Sequence, residues 1–195
     1  MVQPTTIIVL LLILISANVV IANDAVNLDP QYNHAMFAAR DRIIDPDGSI
    51  YGMKFGATEK QILEAFGVPN GVIVISDTKK ALLYGKTHIF VLRGGKLHEL
   101  RVSDHLIDWE LTKQMDGNPF FDRSDWVLKP GVKKDMDFED VKKTLGRPST
   151  GPTYQFTYDS KEASVTLGFP SIGSGPNSKP ETFRLSSFSI LSYGQ

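Results

Sequence analysis

The chain of 195 residues contains no cysteine. This absence excludes disulfide bonds, cysteine-ligated metal sites and thiol nucleophiles, and it also excludes lipid attachment through an N-terminal cysteine. A strong charge of either sign is absent as well, because the net charge at neutral pH is −1. No overall field therefore attracts nucleic acid or an anionic membrane surface. A protein without disulfides must be held together by its core alone.

Charged residues are missing from one continuous segment near the N-terminus, residues 5–22. Within it, residues 7–15 are almost entirely aliphatic, and Val20 and Ala22 stand at the −3 and −1 positions of a cleavage site before Asn23. This layout is typical of a secretory signal peptide. An uncleaved membrane anchor is the alternative, although the apolar run of roughly 16 residues is shorter than the ~20 that a spanning helix needs. Both interpretations predict export, to the periplasm or to the outside of the cell.

An internal similarity links residues 52–69 with residues 131–148, which align without a gap. Both segments begin with a Gly-x-Lys pattern and end with Gly-x-Pro, and apolar residues occupy matching positions between them. The predicted helix caps are Thr58 and Asp137 at the N-termini and Gly67 and Gly146 at the C-termini. Side-chain oxygens at the first position and glycine at the last position satisfy the free backbone groups of helix ends. The sequence therefore predicts two short helices with defined ends.

Short β-favouring runs follow each predicted helix. They cover residues 72–76, 81–84, 88–92 and 97–102 after the first helix, and 153–158, 163–169 and 182–191 after the second. These runs predict an α+β fold of two tandem units, each a short helix followed by a meander of three or four antiparallel strands. The predicted segments are a signal peptide (1–22), an N-terminal extension (23–49) with a helix over 29–44, a first unit (50–103), a connecting segment (104–128) and a second unit (129–195).

The repeated pattern resembles a known family of small modules. Its signature is a short helix ending in Phe66-Gly67-Val68-Pro69, then a meander whose last hairpin reads Gly95-Lys96-Leu97. This is similar to the outer-membrane assembly lipoproteins, and the tandem arrangement is similar to the β-lactamase inhibitory proteins. The resemblance covers about residues 50–103 and 129–191. It implies a periplasmic α+β module that binds a protein and has no catalytic motif, although the cysteines of both families are missing here.

Aromatic residues are the best candidates for a binding surface, because aromatic side chains dominate the energetics of protein interfaces. The candidates are Tyr154, Phe156 and Tyr158 along one predicted strand, and Trp109, Phe120, Phe121 and Trp126 in the connecting segment. The three on the strand alternate and therefore share one face. If that face is open, they form a binding patch. The alternative is that it packs against the second helix, which leaves Gln155 and Thr157 on the outward face.

No pattern in the sequence indicates catalysis. His98 and His105, with acidic neighbours, form the one cluster with metal-ligand chemistry, but on a strand His98 and Glu99 point to opposite faces. Residues 173–175 read Gly-Ser-Gly, without the following helix that a nucleophile elbow requires. We therefore expect no metal and no cofactor.

The expected function is that of an exported, non-enzymatic module that binds a protein in the cell envelope or outside the cell. The sheet, or the surface between the two units, is the expected contact. The alternatives are a binder of a small ligand or envelope component and, less favoured, a hydrolase that uses the cluster of His98, His105 and acidic residues. Nucleic acid is not an expected partner, and we expect no stable membrane span once the signal peptide is removed.

Overall fold

A computed structural model of the chain describes the backbone of residues 19–20 and all atoms of residues 42–103, 113–123, 125–146, 155–169 and 184–194. These residues form a mostly β structure. The strands are β1 (Val19–Val20), β2 (Ile43–Ile44), β3 (Gly71–Ser76), β4 (Lys79–Tyr84), β5 (His88–Arg93), β6 (Lys96–Ser103), β7 (Val127–Leu128), β8 (Val132–Lys133), β9 (Gln155–Asp159), β10 (Ala163–Gly168) and β11 (Ser187–Ser192). Helix α1 spans Glu59–Phe66 and helix α2 spans Phe138–Leu145.

One antiparallel sheet of eight strands organises the fold, in the order β1-β3-β4-β5-β6-β11-β10-β9. Strand β6 pairs with β11 from Ser103↔Ser187 to Glu99↔Leu191. This pairing joins the strands that follow α1 to the strands that follow α2. The predicted α+β fold of two tandem helix-plus-meander units is therefore wrong. Pairing β6 with β11 satisfies backbone groups that two separate meanders would each leave unpaired at an edge.

The two predicted helices are confirmed, and their ends lie where the capping residues place them. In α1, the Thr58 hydroxyl accepts a hydrogen bond from the Gln61 backbone N–H at 3.3 Å, and the Gln61 side chain accepts one from the Thr58 N–H at 2.8 Å. Gly67 ends the helix with a φ of 75°, a left-handed conformation that glycine adopts without steric cost. In α2, Asp137 caps in the same manner, by accepting the Asp140 N–H at 2.8 Å.

Thr58→Ala is expected to lower the free energy of unfolding by about 1 kcal/mol, because the first turn of α1 loses its side-chain acceptor. Urea denaturation at neutral pH measures the loss. The matched control is Lys60→Ala on the exposed face of the same helix, which should stay within about 0.5 kcal/mol of the parent protein. If the loss in Thr58→Ala is no larger than in Lys60→Ala, the capping interaction contributes nothing.

The predicted N-terminal helix over residues 29–44 is wrong at its C-terminal end, and residues 29–41 lie outside the described ranges. Ile43 and Ile44 form β2, which pairs in parallel with Val127 and Leu128 of β7. With β8, these strands make a small sheet in the order β2-β7-β8. Two consecutive β-branched residues favour the extended backbone, and β7 supplies the backbone partners that β2 needs.

Both helices pack on the same face of the large sheet. The buried residues of α1 and α2, namely Ile62, Phe66 and Val141, belong to one apolar cluster with the inward residues of β4, β5, β6, β9, β10 and β11. In the part of the chain that the structure describes, no helix is both long and apolar enough to cross a membrane.

Candidate functional site

The aromatic residues that the sequence proposes for binding lie mostly inside the protein. Phe120, Phe121, Trp126 and Phe156 are buried in the main core. Tyr158 is half-buried beside Phe156, with their ring centroids 6.4 Å apart. For Phe156, therefore, the structure supports the core alternative. Tyr154 and Trp109 are outside the described residues.

Phe121 stands at the centre of a cluster of buried rings. Its ring centroid lies 5.0 Å from that of Tyr84, 5.0 Å from that of His88 and 5.0 Å from that of Phe120. Phe66 and Phe90 follow at 5.5 and 5.8 Å. The segment between β6 and β7 therefore inserts Phe121 between α1 and the sheet, with Phe120 beside it against Tyr51. They contribute to packing rather than to an accessible surface.

A chain of buried hydrogen bonds crosses this cluster. The Tyr51 hydroxyl lies 2.7 Å from Nε2 of His88, and the Thr87 hydroxyl lies 2.8 Å from Nδ1 of the same ring. Thr87 Oγ1 donates to the Phe121 carbonyl at 2.9 Å, so it must accept from Nδ1, and Nε2 must accept from Tyr51. Both ring nitrogens of a neutral His88 thus have partners.

Burial makes this tyrosine–histidine pair inert as an acid or a base near neutral pH. Removal from water and, to a smaller extent, the positive charge of Arg42 together lower the pKa of His88 to about 3. The same burial raises the pKa of the Tyr51 hydroxyl above its usual range. A catalytic dyad needs access to a substrate, whereas His88 is 1% exposed. The hydrogen bond between Tyr51 and His88 therefore has a structural role, which is to fix the orientation of these side chains in the core.

The structure does not assemble the histidine cluster proposed for metal or hydrolytic chemistry. His98 is half-buried on β6, while His105 lies outside the described residues. A β-bulge opposite Val91 and Leu92 shifts the register, so Leu97 rather than His98 points into the core with Leu100. Among the residues described, no group of three or more His, Asp or Glu side chains could hold a metal ion.

Glu99 is committed to a different interaction on the sheet face opposite the main core. Its two carboxylate oxygens accept hydrogen bonds from Arg101 at 2.6 and 3.2 Å. Arg101 continues across the sheet, in register, into a row of short hydroxyl side chains formed by Ser189, Thr166 and Thr157. This half of the face is polar. The other half carries Ala81, Leu83, Ile89 and Val91, packed with Met115.

A surface cavity of about 340 Å³ lies between the turn that follows β2 (residues 45–47), the end of α2 and the end of β9. Lys129 Nζ pairs with Asp45 Oδ2 at 2.7 Å across it. Burial raises the pKa of the Tyr158 hydroxyl, with Asp47 and Asp45 adding to the rise. That hydroxyl has no hydrogen-bond partner among the described residues, yet its oxygen is covered from solvent. A ligand in the cavity would therefore not reach it.

Three of the six exposed large apolar residues in the described ranges lie at one end of the large sheet. Val68, Val74 and Ile75 are 39%, 49% and 40% exposed, and all three belong to β3 or to the loop before it. Strand β3 reads Gly-Val-Ile-Val-Ile-Ser and contains neither charge nor proline. Charged residues and proline are the means by which natural proteins protect an edge strand from pairing with other chains. A bulge near Ile75 protects this end of the strand.

Strand β1 covers part of this edge. It pairs antiparallel with β3 through Val19↔Ile73 and Val20↔Val72. It therefore reaches two of the six residues of β3, and Val74 and Ile75 lie beyond it. The sequence predicts a strand over residues 72–76, but a strand prediction does not indicate which strands lie beside it, so it does not identify this edge. The available signal was an unbroken run of β-branched residues in which no polar residue alternates.

No protein-family model and no curated protein matches the chain. Similar solved structures include an extracellular protein containing an SCP domain from Bacillus anthracis str. Ames, at 12% identity and a TM-score of 0.47. Another is a cysteine-rich secretory protein from Staphylococcus aureus subsp. aureus Mu50, at 11% identity and a TM-score of 0.43. Each similarity covers 71% of this chain, which in turn spans 44% of the other protein. Likenesses this distant assign neither a fold family nor a function.

The resemblance to outer-membrane assembly lipoproteins and β-lactamase inhibitory proteins is wrong. The described strands β3 to β6 and β9 to β11 form one continuous sheet rather than two repeated units. Matching helix caps and hairpins are local features that many folds share. They do not specify how strands from distant parts of the chain pair.

Proposed function

We propose that this protein is an exported, non-enzymatic binding module that receives an extended apolar segment of a partner protein along the edge of β3. The observation that carries the proposal is the pairing of β3 with β1, which leaves Val74 and Ile75 exposed. An open edge offers a row of backbone donors and acceptors to a peptide, and pockets beside it select the side chains of that peptide.

The chemistry of the edge defines the occupant. The segment that pairs with β3 in this chain is Val-Val, in antiparallel orientation, and the exposed neighbours Val68, Val74 and Ile75 are all aliphatic. A partner segment that buries these side chains removes apolar surface from water, which favours binding by roughly 25 cal/mol per Å². We therefore expect a partner strand rich in valine and isoleucine and poor in charge.

The absence of catalysis in this proposal is supported by the arrangement of the titratable groups. His88 is sealed in the core beside Tyr51, and Glu99 is paired with Arg101. Export is supported by the apolar N-terminal segment of residues 5–22. The localisation that we propose is the periplasm or the exterior of the cell.

A selection from displayed random octapeptides against the purified full-length protein tests the docking edge. We expect enrichment of β-branched, uncharged sequences. The double variant Val74→Lys and Ile75→Lys should weaken binding of the selected peptides by about tenfold or more, because charge on an edge strand opposes pairing. Fluorescence anisotropy with labelled peptides measures the change.

The matched control is Leu191→Lys, which places a charge on another exposed apolar residue of the same sheet. It should leave peptide binding unchanged. Thermal unfolding of both variants checks that the fold is intact, as expected for substitutions at exposed positions. Enrichment of charged or helical peptides, or equal weakening by Leu191→Lys, would contradict binding at β3.

A further inference from the structure

We infer that β1 is an intramolecular placeholder, which occupies the docking edge of β3 until the N-terminal segment is removed. The inference rests on the proposed function, because it concerns the regulation of the same site. Its structural basis is that Val19 and Val20 lie against Ile73 and Val72. The chain therefore carries its own short copy of the occupant that the edge is expected to bind.

Strand β1 lies within the segment that cleavage of the predicted signal peptide would remove. The predicted cleavage point before Asn23 lies just beyond Val20, so cleavage there removes the whole of β1. The backbone of Val72 and Ile73 then loses its antiparallel neighbour, and the open edge extends from Val74 back towards Gly71. In this way, removal of the segment that directs export also opens the surface that binds the partner.

A tethered strand competes effectively although it is short. Because β1 belongs to the same chain, it meets β3 at a high effective concentration that a free peptide in solution does not match. A partner then binds only the fraction of molecules in which β1 is detached, and its apparent dissociation constant rises in inverse proportion to that fraction. A pairing of two residues is weak enough for the partner to displace it.

The placeholder is tested in the full-length protein by the double variant Val19→Pro and Val20→Pro. Proline has no backbone N–H and cannot donate to the ladder, so β1 should detach while β3 to β6 stay intact. The matched control is Val19→Thr with Val20→Thr, which keeps both N–H groups and the β-branched shape. Because the N–H groups of successive strand residues point to opposite neighbouring strands, only one of Val72 and Ile73 directs its N–H towards β1. Hydrogen exchange at that residue should be faster in the proline variant and parent-like in the threonine control.

Peptide binding gives the second readout. The octapeptides selected above should bind the proline variant about fivefold more tightly than the parent protein, and the threonine control should bind as the parent does. If peptides bind all three proteins equally and exchange at Val72 and Ile73 does not change, β1 is no placeholder, while the docking edge stands. If neither the parent nor the proline variant selects any peptide, the docking edge itself is refuted.

Discussion

Lowering the pH from 7 to 4 is expected to remove roughly 3 kcal/mol from the free energy of unfolding through His88 alone. The cause is burial, which lowers the pKa of this histidine to about 3 in the folded protein. In the unfolded chain the imidazole is hydrated and titrates near its ordinary value of about 6.5. Protonation of Nε2 in the folded protein would put a charge in the core and break the hydrogen bond that this nitrogen accepts from the Tyr51 hydroxyl.

The direction of the effect follows from proton counting. Between pH 6.5 and 3, the unfolded state carries a proton on His88 and the folded state does not, so stability increases with pH across this window. It is lost as the pH falls below about 6.5 and stops changing below about 3, where both states are protonated. Two exposed carboxyl groups with lowered pKa values, Asp140 and Asp159, act in the same direction at the acidic end.

Urea denaturation at pH 7, 5.5 and 4 measures the dependence, and two variants isolate His88. His88→Gln removes the titrating ring, so its stability is expected to be lower at pH 7 but nearly constant down to pH 5. Tyr51→Phe removes the donor to Nε2 and leaves the ring buried. It should lose stability at pH 7 while keeping the steep dependence of the parent, because burial rather than Tyr51 sets the pKa. An equal slope in His88→Gln and the parent would show that other groups cause the acid sensitivity.

The helices and most strands were predictable from the sequence because their signals are local. The capping interaction of Thr58 with Gln61 joins residues three positions apart, and the residue types alone indicate it. The same holds for the hairpin between β5 and β6, where Gly94 and Gly95 take positive φ values of 57° and 75°. At such positions the sequence constrains the backbone directly.

The pairing of β6 with β11 was not predictable, and it decides the architecture. The paired residues Glu99 and Leu191 are far apart in the chain, and neither residue type specifies the other as a neighbour. The repeated helix-and-hairpin pattern suggested two closed units, since a pattern contains no information on which strand meets which. The bulge at His98 had the same effect on a smaller scale, because it moved Leu97 onto the core face in place of the histidine.

The candidate site could be predicted only in part for a related reason. The sequence singled out aromatic residues, but Phe120 and Phe121 lie in an irregular segment, where neither the helical nor the strand period indicates a face. Aliphatic residues in a predicted strand do not indicate a binding edge, because the same residues in an inner strand would belong to the core. The exposure of Val74 becomes visible only when β3 is seen at the end of the sheet, beyond which lies the short strand β1.

Phe121→Ala is expected to lower the free energy of unfolding by about 3 to 5 kcal/mol, the range for a fully buried phenylalanine. Its ring contacts Tyr84, Phe66 and Phe90 on one side and Tyr51 and Phe120 on the other. These neighbours come from α1, two strands and two loops, so the structure has little freedom to collapse into the space that the ring leaves. Phe121→Leu, which keeps much of the volume, should cost clearly less.

This substitution also separates the two interpretations of the aromatic residues. If Phe121 belonged to a binding surface, truncation would leave stability nearly unchanged and weaken binding. The core position predicts a large loss of stability, measured by urea denaturation at 25 °C. The exposed control Leu191→Ala should change stability by less than about 0.5 kcal/mol.

Because the Phe121 carbonyl also fixes Thr87 and, through it, His88, the losses in Phe121→Ala and His88→Gln should not add in the double variant. Additive losses would mean that the ring cluster and the buried hydrogen-bond chain stabilise the fold independently.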